Sequence, residues 1–331
     1  FLAKTLLQGE IQHHMNFRFQ IWPISPSSTG QDMALPIIRT MDTIRHKLSE
    51  FSELLKLEHS LFALPFAFVA VFLAAGGLPD LKTTLLVVAC MVCARTAGMS
   101  FNRVLDAKYD IDNPRTAERA VAAGRVSKSS VTLLGIICLG GLSFFAWLLN
   151  DLAFYLSPIC HLLLIGYSLT KRFTWACHIV LGLVEAFAPI GGWIAVTGHL
   201  NHPTPWLLGL ATVLWFTGMD IVYATQDADF DKGRGLHSIP ARFGLKGSLL
   251  IARTSHILTM GLLAWAGYTH GAGVIFAIGL CIVAALFFAQ HRLVRADNRT
   301  KLDFAFFNLN VWVSVALMVS ALADVSYRSA L

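Results

Sequence analysis

The chain has 331 residues, of which 55% are hydrophobic and 14% charged, with a mean hydropathy of +0.61. About a quarter of the residues of a soluble domain are charged, so this chain lacks the polar surface that a water-borne globule requires. Its 26 Lys and Arg against 20 Asp and Glu give a net charge of +6, and in a bilayer the informative question is which connections carry that excess.

Residues 1–50 are polar, contain Trp22-Pro23 and Ser25-Pro26-Ser27-Ser28, and have no apolar run of signal-peptide length. They are expected to form a mobile segment that contributes no chemistry, ahead of a membrane domain over 51–331. Because residue 1 is Phe, the chain reads as a fragment, a processed form or an over-extended reading frame, with Met15, Met33 and Met41 as candidate starts.

Apolar runs then follow at 58–78, 81–105, 130–149, 152–170, 175–197, 204–225, 248–269, 271–290 and 304–325. Each is long enough to cross a bilayer as a helix, and none alternates like a barrel strand. The expected fold is all-α, a polytopic membrane protein of about nine transmembrane helices. The thinnest separation is Tyr268, Thr269 and His270, between the seventh and eighth runs.

Loop charge tests that count. With the N-terminus inside, 23 of the 26 Lys and Arg fall on the N-terminal segment or on the connections after spans 2, 4, 6 and 8. The opposite face keeps Lys82 and Arg328, and Arg95 lies within the membrane. A missed helix would scramble this alternation. The expectation is N-in and C-out. The six cysteines all fall inside apolar runs; Cys90 and Cys93 have redox-motif spacing but lie at lipid depth, where buried thiols act as small core residues.

Acidic residues cluster at two helix ends on the inner face. Asn102, Asp106 and Asp110 are spaced four apart at the end of span 2, so they line one helix face. Tyr223, Asp227 and Asp231 repeat that spacing at the end of span 6, with Asp220 two turns back on the same face. Carboxylates so placed repel unless they share a cation. They are either solvated helix ends or hard-oxygen ligands for Mg²⁺ held jointly with substrate phosphates. The matched pair of clusters favours the metal and a diphosphate. Arg115 and Arg119 follow the first cluster, and Tyr167 and Lys171 end span 4 on the same side. Guanidinium forks and an ammonium there suit phosphate oxygens. Lys232, Arg234, His237 and Arg242 add positive charge after the second cluster.

Arg95 precedes Asn102 by seven residues, on the same face. Inserting an arginine at this depth costs at least about 2.5 kcal/mol, so it should face an enclosed polar space. It is either one half of an internal ion pair, for instance with Glu185, or a clamp for an anionic second substrate lying deeper than the diphosphate; the clamp is the favoured reading.

At these residues the chain resembles the UbiA superfamily of intramembrane aromatic prenyltransferases, over about 55–327. The pattern N-x-x-x-D-x-x-x-D matches Asn102, Asp106 and Asp110, and a second D-x-x-x-D matches Asp227 and Asp231. Glu58-His59-Ser60-Leu61-Phe62-Ala63-Leu64-Pro65, Asn113-Pro114-Arg115-Thr116, Tyr167-Ser168-Leu169-Thr170-Lys171-Arg172 and Gly235-Leu236-His237-Ser238-Ile239-Pro240-Ala241-Arg242-Phe243-Gly244 are similar in wording to the 4-hydroxybenzoate polyprenyltransferases. The resemblance implies a nine-helix bundle around a central cavity. It implies Mg²⁺ and a polyprenyl diphosphate held by Asp106, Asp110, Asp227 and Asp231 as catalytic and metal-binding residues. Arg115, Arg119, Tyr167 and Lys171 would assist at the diphosphate, with Asp220 and Tyr223 beside them. Arg95 with Asn102 would lie where the aromatic carboxylic acid binds. The implied partners are those two substrates and the lipid bilayer, with no nucleic acid, and the implied setting is a bacterial inner membrane with its active-site loops cytoplasmic.

Glu185 departs from the family pattern, where relatives are apolar or small. The last stretch also resembles a subgroup placed in the futalosine route to menaquinone, whose acceptor is larger. A membrane transporter is the rival from another class, because intramembrane charges also mark transport paths. It would place broken helices and charges at mid-membrane, whereas these acids gather at one face. A non-catalytic lipid-binding scaffold would not need two carboxylate clusters.

Overall fold

The computed structural model describes residues 57–294 and 302–331; the N-terminal segment 1–50 lies outside them. The regular structure of the described residues is wholly helical. It comprises α1 (Leu57–Ala75), α2 (Leu81–Asp110), α3 (Lys128–Leu149), α4 (Asp151–Thr170), α5 (Cys177–Thr197), α6 (Pro203–Ala224), the short α7 (Ala228–Gly233), α8 (Ile239–His270), α9 (Val274–Leu293) and α10 (Leu302–Ser329). Apart from α7, nine long helices stand among the described residues, as the apolar runs predict. Eight are long and apolar enough to cross a bilayer, and α1 is the ninth, with Ala63–Ala75 as its described apolar stretch. The break between the seventh and eighth spans lies not at 268–270, which are the last turn of α8, but at 271–273: Gly271 ends α8 in the left-handed conformation (φ 71°), which glycine adopts without a Cβ penalty.

The exterior confirms the medium. Leu133, Ile137, Leu162, Leu250 and Ile257 point outward and are more than half exposed. In water such a surface would drive aggregation; against acyl chains it is stable. The protein is an integral membrane protein. Inside, α6 packs on α5 and α8, α10 on α9 and α1, and α1 on α5, while α2, α3 and α4 contact one another and α4 meets α5. The core is built around fully buried Trp215. Its ring lies 5.2 Å from Phe66 and its indole N–H donates to Asn310 Oδ1 at 2.8 Å, as a buried indole requires.

Two boundaries differ from the sequence reading, and both shape the site. Span 6 does not carry its acids on one continuous face. α6 stops at Ala224, and the amides of Thr225, Gln226 and Asp227 bond three residues back, to the carbonyls of Val222, Tyr223 and Ala224. Thr225 Oγ1 reinforces this tighter turn by donating to Val222 O at 2.7 Å. Such a turn changes the rotation per residue, so Asp220 and Tyr223 lie on α6, Asp227 on the turn, and Asp231 on α7. α8 begins at Ile239, ahead of the apolar run near 248, as a short helical piece that meets the long spanning piece at Gly244; its N-cap is Ser238, whose Oγ accepts from Ala241 N at 3.3 Å, with Pro240 in the first turn. The charges of Arg242 and Lys246 and a break at Gly244 (φ 66°) hide this first part from a hydropathy reading.

At the other end of the bundle, Asp324 of α10 is buried and caps a neighbouring helix. Its carboxylate accepts from the amides of Gly273 (2.9 Å) and Phe276 (3.2 Å) at the start of α9, and from Arg328 Nε at 3.0 Å. Ser329 Oγ reaches Gly76 O at 3.0 Å, which places this cap at the end of the bundle opposite Asp110. Asp324→Ala therefore removes an N-cap and leaves Arg328 without its carboxylate. The expected loss is about 1–2 kcal/mol, read as a lower thermal unfolding midpoint in detergent, with turnover unchanged at temperatures where the variant is folded.

Candidate functional site

The break after α6 and the long α2 bring both acidic clusters to one cleft of about 230 Å³. Asn102, Asp106 and Asp110 line it from α2, Lys171 from the end of α4, Asp220 and Tyr223 from α6, Asp227 and Asp231 from the turn and α7, and Arg115 and Arg119 from the 111–127 connection. Every one of these residues was singled out in the sequence, and the structure collects them at one end of the bundle.

The charges are arranged in pairs. Arg119 holds Asp110 (2.8 Å), Lys171 meets Asp231 (2.7 Å), and Arg115 grips Asp227 with Nε at 2.9 Å from Oδ1 and its terminal nitrogen on Oδ2. Asn113 Nδ2 also donates to Asp227 Oδ1 (3.1 Å), and the terminal guanidinium nitrogen of Arg115 reaches Tyr223 Oη (3.1 Å). The loop that follows the first cluster is thus fastened onto the second. Burial raises the Asp227 carboxyl, but the Arg115 guanidinium and Asn113 outweigh it and hold the group below its ordinary value. Burial likewise pulls Lys171 down, and the charge of Asp231 more than restores it, so the ammonium lies above its ordinary value. Asp106 accepts from Asn102 Nδ2 (2.7 Å), which also donates to Ser168 Oγ (3.1 Å).

Arg172 is a cleft residue that the sequence reading did not assign. It stands 3.9 Å from Asp106, donates to Leu105 O at 2.7 Å and lies over the Tyr109 ring at 5.3 Å. Its place next to Lys171 was the available signal. Two other basic candidates point elsewhere: Arg234 pairs with Asp112 (2.9 Å) and Arg242 lies over Trp175 (5.3 Å).

Arg95 does not line this cleft. It opens into a second chamber of about 200 Å³ between α1, α2, α3, α4 and α5, walled mostly by Ala, Leu, Val, Ile and Met. One of its terminal guanidinium nitrogens is 3.8 Å from Glu185 Oε1, the ion pair weighed from sequence, while Arg95 Nε is buried without a hydrogen-bond partner. Tyr167 and Leu181 line both cavities and stand where they adjoin. Seen whole, a polar cleft of paired charges lies beside an apolar chamber that holds one compensated arginine.

Comparison with known proteins agrees with this architecture. The sequence pattern of the UbiA prenyltransferase family matches residues 63–312. A 4-hydroxybenzoate octaprenyltransferase of Alkalilimnicola ehrlichii is 32% identical over 289 residues, covering 86% of this chain and 97% of its own. One from Pseudomonas fluorescens is 29% identical over 299 residues, covering 89% and 100%. Among solved structures, the apo form of a UbiA homolog from Aeropyrum pernix aligns with a TM-score of 0.73 at 30% identity, over 81% of this chain and 98% of that one. A UbiA homolog from Archaeoglobus fulgidus, solved with GPP and Mg²⁺ bound, shares the fold with a TM-score of 0.63 at 19% identity, over 83% of this chain and 99% of its own.

Proposed function

The chain belongs to the UbiA prenyltransferase family, and from that premise we propose that it transfers a polyprenyl group from a polyprenyl diphosphate to a ring carbon of an aromatic acid, most closely 4-hydroxybenzoate, with Mg²⁺ as its metal. The observation that carries this reading is the pair of aspartate clusters facing one cleft beside an apolar chamber.

The donor set fits the ion. Among the described residues no three His, Cys, Asp or Glu side chains form a cage able to hold a metal by themselves. Mg²⁺ is commonly bound through one or two carboxylates plus substrate phosphates, and hard carboxylate oxygens on opposite walls supply that partial set. Asp106, Asp110, Asp227 and Asp231 are the residues that would hold it, and it would supply Lewis-acid stabilisation of the departing diphosphate.

The chain's own residues do the rest. Arg115, Arg119 and Lys171 lie beside the aspartates, and they serve as ready donors to phosphate oxygens. Such pre-positioned cations act most strongly when negative charge builds on the leaving group. Asn102 holds Asp106 in place, and Tyr223, stacked on Phe306 at 4.2 Å, anchors Arg115. The allylic cation is generated where the cleft meets the chamber, and the apolar chamber walls keep water from intercepting it. Arg95 orients the carboxylate of the acceptor, whose ring carbon attacks. The lipid-soluble donor tail explains why the site is built inside a bilayer. We place the cleft on the cytoplasmic side of a bacterial inner membrane, with the domain of 51–331 sufficient for the chemistry.

The purified protein in detergent, given Mg²⁺, a polyprenyl diphosphate and a panel of hydroxybenzoates and larger aromatic acids, should yield a ring-prenylated acid by mass spectrometry, and chelation should stop it. Product from larger acids alone would move the acceptor assignment to the menaquinone-type alternative. Absence of any prenylated product with inserted, folded protein would refute the reading.

A further inference from the structure

Prenylation of an aromatic ring leaves one proton to be removed, and the carboxylate that takes it needs a free oxygen beside the reacting centre. Asp110, Asp227 and Asp231 each face an arginine or lysine within 3 Å, and Asp106 faces Arg172 at 3.9 Å. Asp220 faces an imidazole instead. His178 Nδ1 lies 2.6 Å from Asp220 Oδ2, and the two residues enter the cleft from α5 and α6.

The other ring nitrogen fixes the proton's position. Ile239 N, at the start of α8, donates to His178 Nε2 at 3.2 Å. A backbone N–H can only donate, so Nε2 must present its lone pair. In the neutral ring the single proton is then on Nδ1 and is given to Asp220. His178 itself is 2% exposed, whereas the Asp220 side chain keeps 27% of its surface open to the cleft. The same helix start arranges a second acid, since Ser238 Oγ donates to Asp231 Oδ2 at 2.8 Å. Ser238 and Ile239 thus tie two cleft carboxylates to one helix N-terminus, which gives the Gly235–Gly244 segment a physical role.

We infer that His178 is a positioning residue which holds Asp220, through a neutral Nδ1–H, as the acceptor of the ring proton. This inference rests on the prenyl-transfer reading above. The step balances as follows. The allylic C–O bond breaks and its electron pair leaves with the diphosphate. The ring carbon forms the new C–C bond, and the C–H bond at that carbon then breaks. Its proton passes to the free oxygen of Asp220, its electron pair restores aromaticity, and the proton is later released through the open cleft. A carboxylate paired with a cation is a weaker proton acceptor, because the neighbouring charge favours its ionised form; one that receives a single N–H from a neutral ring keeps its basicity and its second oxygen available. Outer hydrogen-bond partners of this kind orient the group that acts, and removing one typically costs about 10–100-fold in activity.

The test is turnover of 4-hydroxybenzoate, protiated or deuterated on the ring, by native protein, His178→Ala, His178→Asn and Asp220→Asn. Asn retains an N–H near the Nδ1 position, so it restores the donor without the ring. His178→Ala is expected to lose about 10–100-fold in kcat with KM for both substrates near native. A primary deuterium isotope effect, small in the native protein, should emerge because proton removal has become slow. His178→Asn should recover most of the rate, and Asp220→Asn should lose more than His178→Ala. Native rate in His178→Ala, or a rate loss with no isotope effect in both folded His178 variants, would overturn the inference while leaving prenyl transfer intact. A native protein that prenylates no aromatic acid would instead sink the reading on which it rests. Should His178→Ala fail to fold, the Asn variant decides: rate loss with an emergent isotope effect supports the role, and rate loss without one refutes it.

Discussion

Asp227→Ala is expected to abolish prenyl transfer, by about 10²–10³-fold or more, while the protein still inserts and folds. Asp227 is the point at which the two halves of the cleft meet, because it accepts from both Asn113 and Arg115 of the opposite connection. Its removal takes away one of the carboxylates proposed to hold the metal and frees Arg115 from its set position. The stability loss should fall well below the ~3–5 kcal/mol of a broken, fully buried pair, since the Arg115 side chain is 29% exposed and water can re-solvate it. Asp106→Ala should be equally inactive from the other wall. Acidification supplies an independent check. Asp227 is held below its ordinary value of 3.8, so its contribution to folding is fully present above that value. It is lost only as pH falls through the depressed one. Denaturation profiles of native protein and Asp227→Ala should therefore converge at low pH and separate above it; profiles that stay parallel would contradict the pairing.

Arg95→Leu is expected to raise the acceptor KM at least tenfold, with the diphosphate KM unchanged. The ion pair makes the experiment sharper than a single substitution. Arg95→Leu alone strands the Glu185 carboxylate in an apolar chamber, where an uncompensated buried charge costs about 3–5 kcal/mol. Weak activity could then reflect instability. Arg95→Leu with Glu185→Leu removes both charges and should regain stability but not acceptor affinity. Glu185→Gln should act in the opposite sense: with its counter-charge gone, Arg95 is left to the acceptor carboxylate, and KM for a benzoate should fall while KM for the corresponding benzamide changes little. Equal KM values for benzoate acceptors in the native and Arg95→Leu/Glu185→Leu proteins would remove Arg95 from the site.

What could be read from residues alone was whatever depends on periodicity. The long apolar helices among the described residues, and the face shared by Asn102, Asp106 and Asp110, follow from apolar length and 3.6-residue repetition, and α2 is continuous through all three. The second cluster obeyed the same spacing but not the same geometry. Thr225 turns its hydroxyl back on Val222 and tightens the chain, and nothing in a D-x-x-x-D spacing distinguishes that turn from a continuing helix. The start of α8 carried its N-cap serine and first-turn proline in plain view, yet Arg242, Lys246 and Gly244 lowered its hydropathy. Long-range pairings were the least legible. His178 lies in an apolar run, and only the folding of α5 against α6 and α8 shows that its two nitrogens face Asp220 and Ile239. Arg95 and Glu185 form an exception, since two half-buried opposite charges at bilayer depth have few partners except each other.

We propose that aspartates on both walls of the cleft hold a diphosphate through Mg²⁺. Calorimetric titration of the detergent-purified protein with a prenyl thiodiphosphate, which resists ionisation, tests it most directly. The native protein should bind with Mg²⁺ present and lose that binding on chelation, and Asp106→Ala and Asp227→Ala should each fail to bind although one carries its change on α2 and the other on the turn after α6. Native-like affinity without Mg²⁺, or in either folded aspartate variant, would contradict the account.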